Sequence, residues 1–263
     1  VLASLIQIGV DQDESVTARR ERAAALVRDQ AASDLVVLPE LWPTGAFAFE
    51  RFDAEAESTE DGPTAVAMSR AARDAGVWLH AGSVVERAGS GELYNTSLVY
   101  SPDGELTARY RKIHRFGFDR GEATLMSAGR EPVTVEAAGA TLGLATCYDL
   151  RFPELFRALT DAGAQVLVVP AGWPDKRAAH WSLLARARAV ENLTYVLACG
   201  TAGSHAGVPQ AGRSAVIDPW GEPLAEAADA TEQVIRADLD LGRLAAVRSE
   251  FPALKDRVPG LGG

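Results

Sequence analysis

Short apolar runs bounded by turn residues alternate along this chain with longer amphipathic stretches, a pattern that predicts strands separated by helices. Ala3–Gly9 reads as the first strand. Ser15 is placed to cap a helix reaching about Ala32, with Val16, Ala23, Val27 and Ala31 on one face. Leu35–Leu38 is an unbroken apolar run, as in a strand buried on both faces, and it stops at Pro39-Glu40. An aromatic loop, Leu41–Phe49, follows, and Pro63 suits the first turn of a helix that Gly76 closes. Val77–Glu86 returns as a strand, and Leu93–Ser101 with Leu106–Arg111 forms a hairpin around Asp103-Gly104. Beyond a long loop over 112–122, Pro132–Glu136 and Thr141–Thr146 are strands, and Pro153 opens a helix that ends at Gly163. Gln165–Val169 is a second buried strand, and a long helix then runs to Glu191-Asn192. Thr194–Gly200, Gly212–Asp218, Leu224–Ala227 and Gln233–Asp238 complete the strands. A helix near Leu241–Arg248 leads into a Pro/Gly-rich tail, about 249–263, expected to be loose or to lie at a subunit interface.

Two segments recur in the same order. Leu35-Val-Val-Leu-Pro39 is echoed by Val166-Leu-Val-Val-Pro170, and Ser97-Leu-Val99-Tyr-Ser-Pro102-Asp-Gly104-Glu105 by Ser214-Ala-Val216-Ile-Asp-Pro219-Trp-Gly221-Glu222. The echoes predict an α/β fold of two similar half-domains, packed sheet to sheet as a four-layer α-β-β-α sandwich. No linker composition interrupts the chain, so residues 1–263 are expected to form one domain.

Charge narrows the partners. With 26 basic and 36 acidic residues the 263-residue chain carries a formal charge of −10, which argues against nucleic acid and anionic membrane. No apolar stretch is long enough for a membrane span, and the start lacks the order of a signal peptide. Two cysteines make no disulfide framework and point to a reducing cytoplasm. The four histidines are scattered without a ligand pattern, so no metal is expected.

Candidate chemistry lies at three strand ends: Glu40, Lys112 and Cys147. Cys147 sits between a strand and the helix opened by Pro153, an arrangement that lifts a nucleophile into a cleft. The nearby helix start is expected to favour thiolate. A carboxylate can act as base for the thiol, and an ammonium with a backbone N–H can hold an oxyanion. Taken singly, each residue reads more readily as structural: a core thiol, a loop carboxylate, a strand-end charge. Cys199 reads as a core thiol, His114 as a hydrogen-bonded structural residue, and Arg151 with Glu154 as an ion pair beside the turn.

Together the motifs are more specific. Leu38-Pro-Glu40, Tyr110-Arg-Lys112-Ile-His114 and Cys147-Tyr-Asp-Leu-Arg-Phe-Pro-Glu154 resemble the nitrilase, or carbon–nitrogen hydrolase, superfamily, over nearly the whole chain. The resemblance implies Glu40 as base, Lys112 as the oxyanion's cation and Cys147 as nucleophile, with Glu122, seven residues before Gly129, as a second glutamate. It further implies a Cys147 thioester, an oxyanion contact from the Tyr148 N–H, Trp173 as a pocket wall, no cofactor, and a homodimer or higher homo-oligomer. Tyr148-Asp149 stands where true nitrilases commonly have Trp-Glu, so the resemblance is to the amidase branch that includes omega-amidases and deaminated-glutathione amidases. A small linear carboxamide is the substrate it implies. N-carbamoyl amine hydrolysis and nitrile hydrolysis remain the enzymatic alternatives, and a silent scaffold or a redox-sensing thiol protein the non-enzymatic ones. Arg115 is one candidate reader of a substrate carboxylate.

Overall fold

In the computed structural model, which describes residues 1–258 apart from Gln12 and Phe118, the chain builds two sheets of the same design. The first half runs β1 (Leu2–Gln7), β2 (Gly9–Val10), α1 (Val16–Arg28), β3 (Leu35–Val37), α2 (Pro63–Ala75), β4 (Trp78–Arg87), β5 (Leu93–Tyr100), β6 (Leu106–Arg111) and the short α3 (Glu122–Leu125). The second runs β7 (Val133–Ala137), β8 (Ala140–Leu144), α4 (Pro153–Asp161), β9 (Val166–Ala171), α5 (Ala178–Asn192) and β10 (Tyr195–Gly200). It continues through β11 (Ala202–His205), β12 (Val208–Pro209), β13 (Ala215–Ile217), β14 (Pro223–Glu226), β15 (Gln233–Asp238) and α6 (Leu241–Glu250).

Both sheets have six strands, in the orders β15-β1-β3-β4-β5-β6 and β7-β8-β9-β10-β13-β14. In each, three parallel strands joined by helices are followed by an antiparallel hairpin, and one antiparallel strand closes the other edge. The echoed segments occupy matching places, β3 with β9 and β5 with β13. The period of two along each strand then sets the layers. Ala3, Leu5, Leu35 and Val37 share one buried cluster with Leu142, Leu144, Val166 and Val168 of the facing sheet. Their neighbours Ile6, Ile8, Val36 and Leu38 point the other way, onto Ala23 and Val27 of α1 and Ala65 and Met68 of α2. Phe156 and Leu159 of α4 and Trp181 and Ala185 of α5 cover the second sheet. The four-layer sandwich expected from the sequence is the observed architecture.

Several boundaries differ. α1 ends at Arg28, one turn early, and Ala31 is exposed beyond it. Arg19 takes the buried place on that helix, donating to the Pro43 carbonyl at 2.7 Å and so tying α1 to the loop after Glu40. The small sheet β12-β11-β2 was not expected, because strands of two to four residues with glycines show no period. The tail folds back as far as Arg257, which is bonded to Asp161 of α4, and residues 259–263 lie outside the described residues.

Candidate active site

Glu40, Lys112 and Cys147, separated by 72 and 35 positions in sequence, meet where β3, β6 and β8 end. Each arrives by a local device. β3 runs out into Leu38-Pro39, and Leu41 then takes a left-handed backbone with φ of 44° while its N–H donates to the Ser83 hydroxyl at 3.0 Å. Gly82 is required beside it, since a Cβ there would stand 1.9 Å from the Pro39 carbonyl oxygen. Lys112 follows β6 directly and its N–H still pairs with the Asn95 carbonyl, at 2.8 Å. Cys147 has φ of 48°, a conformation costing a non-glycine residue about 1–2 kcal/mol.

That strain is held by a short 3-10 turn, Cys147–Arg151, capped by Thr146 and Asp149. The buried Asp149 carboxylate accepts from the Thr146 N–H at 2.9 Å, the Tyr110 hydroxyl at 2.7 Å and the His114 N–H at 2.9 Å, and lies 2.7 Å from His114 Nδ1. The His114 ring stacks on Phe152 at 3.8 Å. His114 is thus part of the scaffold under the nucleophile turn. Arg151 does not pair with Glu154 among the described residues; its guanidinium lies over the Trp173 ring, 4.9 Å from the centroid.

Within the cluster, Lys112 Nζ donates to Glu40 Oε1 and to Glu122 Oε2, both at 2.6 Å. Glu40 Oε2 accepts the Gly172 N–H at 2.8 Å, and Glu122 Oε2 the Phe116 N–H at 2.8 Å. Cys147 Sγ is 3.9 Å from the Gly172 carbonyl oxygen. All four side chains are buried. Burial opposes the Lys112 ammonium, but Glu122 and Glu40 outweigh it and hold its pKa well above the ordinary lysine value. Burial, and then the negative charge of Glu40, raise the Glu122 carboxyl against the pull of Lys112. Burial and Glu40 likewise push the Cys147 thiol well up. The expected thiolate-favouring effect of a helix start is overturned: α4 begins only at Pro153, and the thiol sits in a desolvated site beside a carboxylate. A thiol held protonated needs its base in place, and Glu40 is the carboxylate next to it.

The cleft above the cluster holds about 380 Å³ of empty space, open solvent at its mouth included. Tyr148 and Trp173 both line it, as do Phe47 and Phe116. Trp173 also packs on Trp181 at 5.4 Å, so it is wall and core at once. Arg115 is not in the cleft; it binds the carbonyls of Ala123 and Met126. Arg151 and Arg177 are, the latter 5.3 Å over the Phe116 ring. Cys199 is fully buried between the sheets, its Sγ 3.5 and 3.4 Å from the carbonyls of Ile6 and Val37. Among the described residues no group of histidine, cysteine, aspartate or glutamate is arranged to hold a metal ion.

Sequence reading missed Asn95, Asp149 and Gly172. For Asn95 there was a signal: Asn95-Thr96-Ser97 is a polar run inside a strand otherwise apolar, and all three are buried. For Asp149 there was one too, since Thr146-Cys-Tyr-Asp149 has the spacing of a capping box, whereas the role of Gly172 depends on a contact between half-domains that no local pattern records.

Comparison with known proteins adds a family and relatives. Residues 2–249 match the family described as carbon-nitrogen hydrolase. A 2-oxoglutaramate amidase of Paenarthrobacter nicotinovorans is 42% identical over 259 residues, covering 96% of this chain and 87% of that protein. The human omega-amidase NIT2 is 35% identical over 266 residues, covering 96% and 92%. Among solved structures, a CN-hydrolase superfamily protein from Xanthomonas campestris with an arsenic adduct in its active site superposes with a TM-score of 0.91. It is 35% identical, and the match covers 100% of this chain and 99% of that one.

Proposed function

The chain belongs to the carbon–nitrogen hydrolase family, and on that premise we propose that Cys147, Glu40 and Lys112 hydrolyse a small linear carboxamide to its acid and ammonia. It is an amidase-type hydrolase of carbon–nitrogen bonds other than peptide bonds. The observation that carries the residue assignment is the buried cluster itself: one nucleophile, one carboxylate beside it, and one ammonium held by two carboxylates.

Glu40 takes the thiol proton as Cys147 Sγ bonds to the amide carbon. The oxyanion rests on Lys112 Nζ and the Tyr148 N–H, which lies in the first turn of the 3-10 segment, where N–H groups lack an intrahelical acceptor. Glu40 returns the proton to nitrogen, the C–N bond breaks and ammonia leaves a thioester. Water, deprotonated by Glu40, then adds to the thioester carbonyl; the C–S bond breaks and the sulfur regains its proton. Glu122 holds Lys112 through the cycle and orients the departing nitrogen.

Arg151 and Arg177 place two cations in the cleft wall, and among the described residues neither is ion-paired with a carboxylate. That fits an amide bearing a carboxylate at its far end, the chemistry in the name 2-oxoglutaramate amidase. The setting proposed is cytoplasmic: both cysteines are free, and no described helix is long and apolar enough to cross a membrane. A single carbon–nitrogen hydrolase domain spanning 1–263 and a homodimer joined through α4 and α5 complete the reading. Leu183 and Val190 of α5 support that interface, being 67% and 47% exposed, and light scattering at micromolar concentration reads it directly. The test of the activity is ammonia release from short amides and ω-amido acids, with mass spectrometry after acid quenching. An acyl adduct on Cys147, and no turnover in Cys147→Ala while Cys199→Ala stays active, is the expected result. Turnover by Cys147→Ala, or an adduct on Cys199, overturns the assignment.

A further inference from the structure

We propose that Asn95 is a positioning residue for the reaction, a neutral brace that fixes the two active-site carboxylates relative to each other and holds Glu40 in the orientation the thiol needs. The inference rests on the assignment of Glu40 as base to Cys147. Asn95 lies in β5, its side chain buried in the floor of the site, and its Nδ2 donates both to Glu40 Oε1 at 2.9 Å and to Glu122 Oε1 at 2.5 Å. A single NH2 group offers two donors, and both are used on carboxylates. The amide orientation is therefore unambiguous, since the flipped side chain would set its oxygen against two carboxylates.

Lys112 makes the complementary pair of bonds, to Glu40 Oε1 and Glu122 Oε2. Glu40 Oε1 is thereby held from two sides, and its Oε2 is left to the Gly172 N–H. The Gly172 carbonyl oxygen in turn lies 3.9 Å from Cys147 Sγ. A chain of bonds thus runs from Asn95 through Glu40 and Gly172 to the nucleophile. Lysine alone cannot fix this geometry, because an ammonium on a flexible stem is a point charge without planar direction. The asparagine amide supplies direction and brings no charge, which matters where two carboxylates already face one ammonium. Among the described residues no group donates to its Oδ1.

The test uses the full-length protein and two variants of similar side-chain size, Asn95→Leu and Asn95→Asp. The first removes the donors; the second also adds a third carboxylate. Folding is followed by circular dichroism and thermal melting, kcat and KM on an amide that the wild type hydrolyses, and the acylation step by quenched single turnover. Asn95→Leu is expected to lower kcat and the acylation rate roughly ten- to a hundredfold, the worth of a hydrogen bond to a charged group, with KM within about twofold. Asn95→Asp should lose more. In a Glu40→Gln background Asn95→Leu should cost almost nothing further, because the brace acts through Glu40. A folded variant with wild-type kcat overturns the proposal, as does a change in KM alone or full additivity with Glu40→Gln. Failure of both variants to fold also overturns it, by showing the residue's role to be structural. Failure of the amidase reading looks different: there the wild type itself releases no ammonia, or Cys147→Ala stays active.

Discussion

Replacing Glu40 with glutamine removes one negative charge from the buried cluster and leaves a side chain of the same shape. Both oxygens of Glu40 are acceptors in the structure, Oε1 for Lys112 and Asn95, Oε2 for Gly172. Wherever the new NH2 is placed it meets a donor, so at least one of these bonds is lost, at about 1–3 kcal/mol. Against that, two carboxylates facing one ammonium become one facing one, which relieves repulsion in a buried site. The two effects are of similar size, and the melting temperature should move by only a few degrees. Activity should not be spared. Without a base the protonated thiol attacks poorly and nothing returns a proton to the leaving nitrogen, so kcat should fall by roughly three orders of magnitude, about 4 kcal/mol of barrier. Thiol acidity gives an independent sign. The Cys147 pKa is raised first by burial and then by Glu40, against Lys112, so deleting the Glu40 charge removes one of the raising causes. The pH at which iodoacetamide alkylation of Cys147 accelerates should therefore move down in Glu40→Gln even as turnover collapses. An inflection that moves up, or a variant within tenfold of wild-type kcat, would refute this account of the cluster.

Asp149→Ala should destabilise the protein by on the order of 3 kcal/mol or more and depress kcat, because it strips the acceptor from Thr146, Tyr110 and His114 under the strained Cys147; chemical denaturation checks it, and unchanged stability contradicts the scaffold role. His80 and His205 are buried and neutral, their pKa values pushed down to about 4 and about 3 from 6.5 by desolvation. The unfolded chain takes up protons first as pH falls, so stability present above about 6.5 should be lost between there and about 4 for His80 and about 3 for His205, and His80→Gln should blunt the loss in acid melting curves. Amides should be preferred over the matching nitriles by a wide margin in kcat/KM, since a nitrile gives a thioimidate whose nitrogen must be protonated twice before ammonia leaves. Equal conversion of propionamide and propionitrile to acid would replace the amidase assignment with a nitrilase one.

The chain alone determined the architecture to a large degree, and the reason is its short apolar runs and their repetition. Leu35–Leu38 and Val166–Val169 are short unbroken apolar runs, the pattern of strands covered on both faces, and their echo placed them at matching positions in two half-domains. Which face of β1 and β3 meets the second sheet and which meets α1 and α2 was left to packing, because both faces are buried. The candidate chemistry at Glu40, Lys112 and Cys147 was legible because strand ends and turn residues mark where reactive groups can leave a sheet. Their meeting was not, because it depends on the register of two sheets packed face to face, and packing leaves no trace in local spacing. The same holds for Asn95, which one strand carries but a loop and the start of α3 make into a brace. Arg115 pointed away and Arg151 and Arg177 pointed in for the same reason: side-chain direction at a loop is set by what the loop rests on. The sign of the Cys147 shift was likewise a tertiary decision. A helix start nearby in sequence argues for thiolate, yet burial beside Glu40 outweighs it, since desolvation and a neighbouring charge act through space and not along the chain.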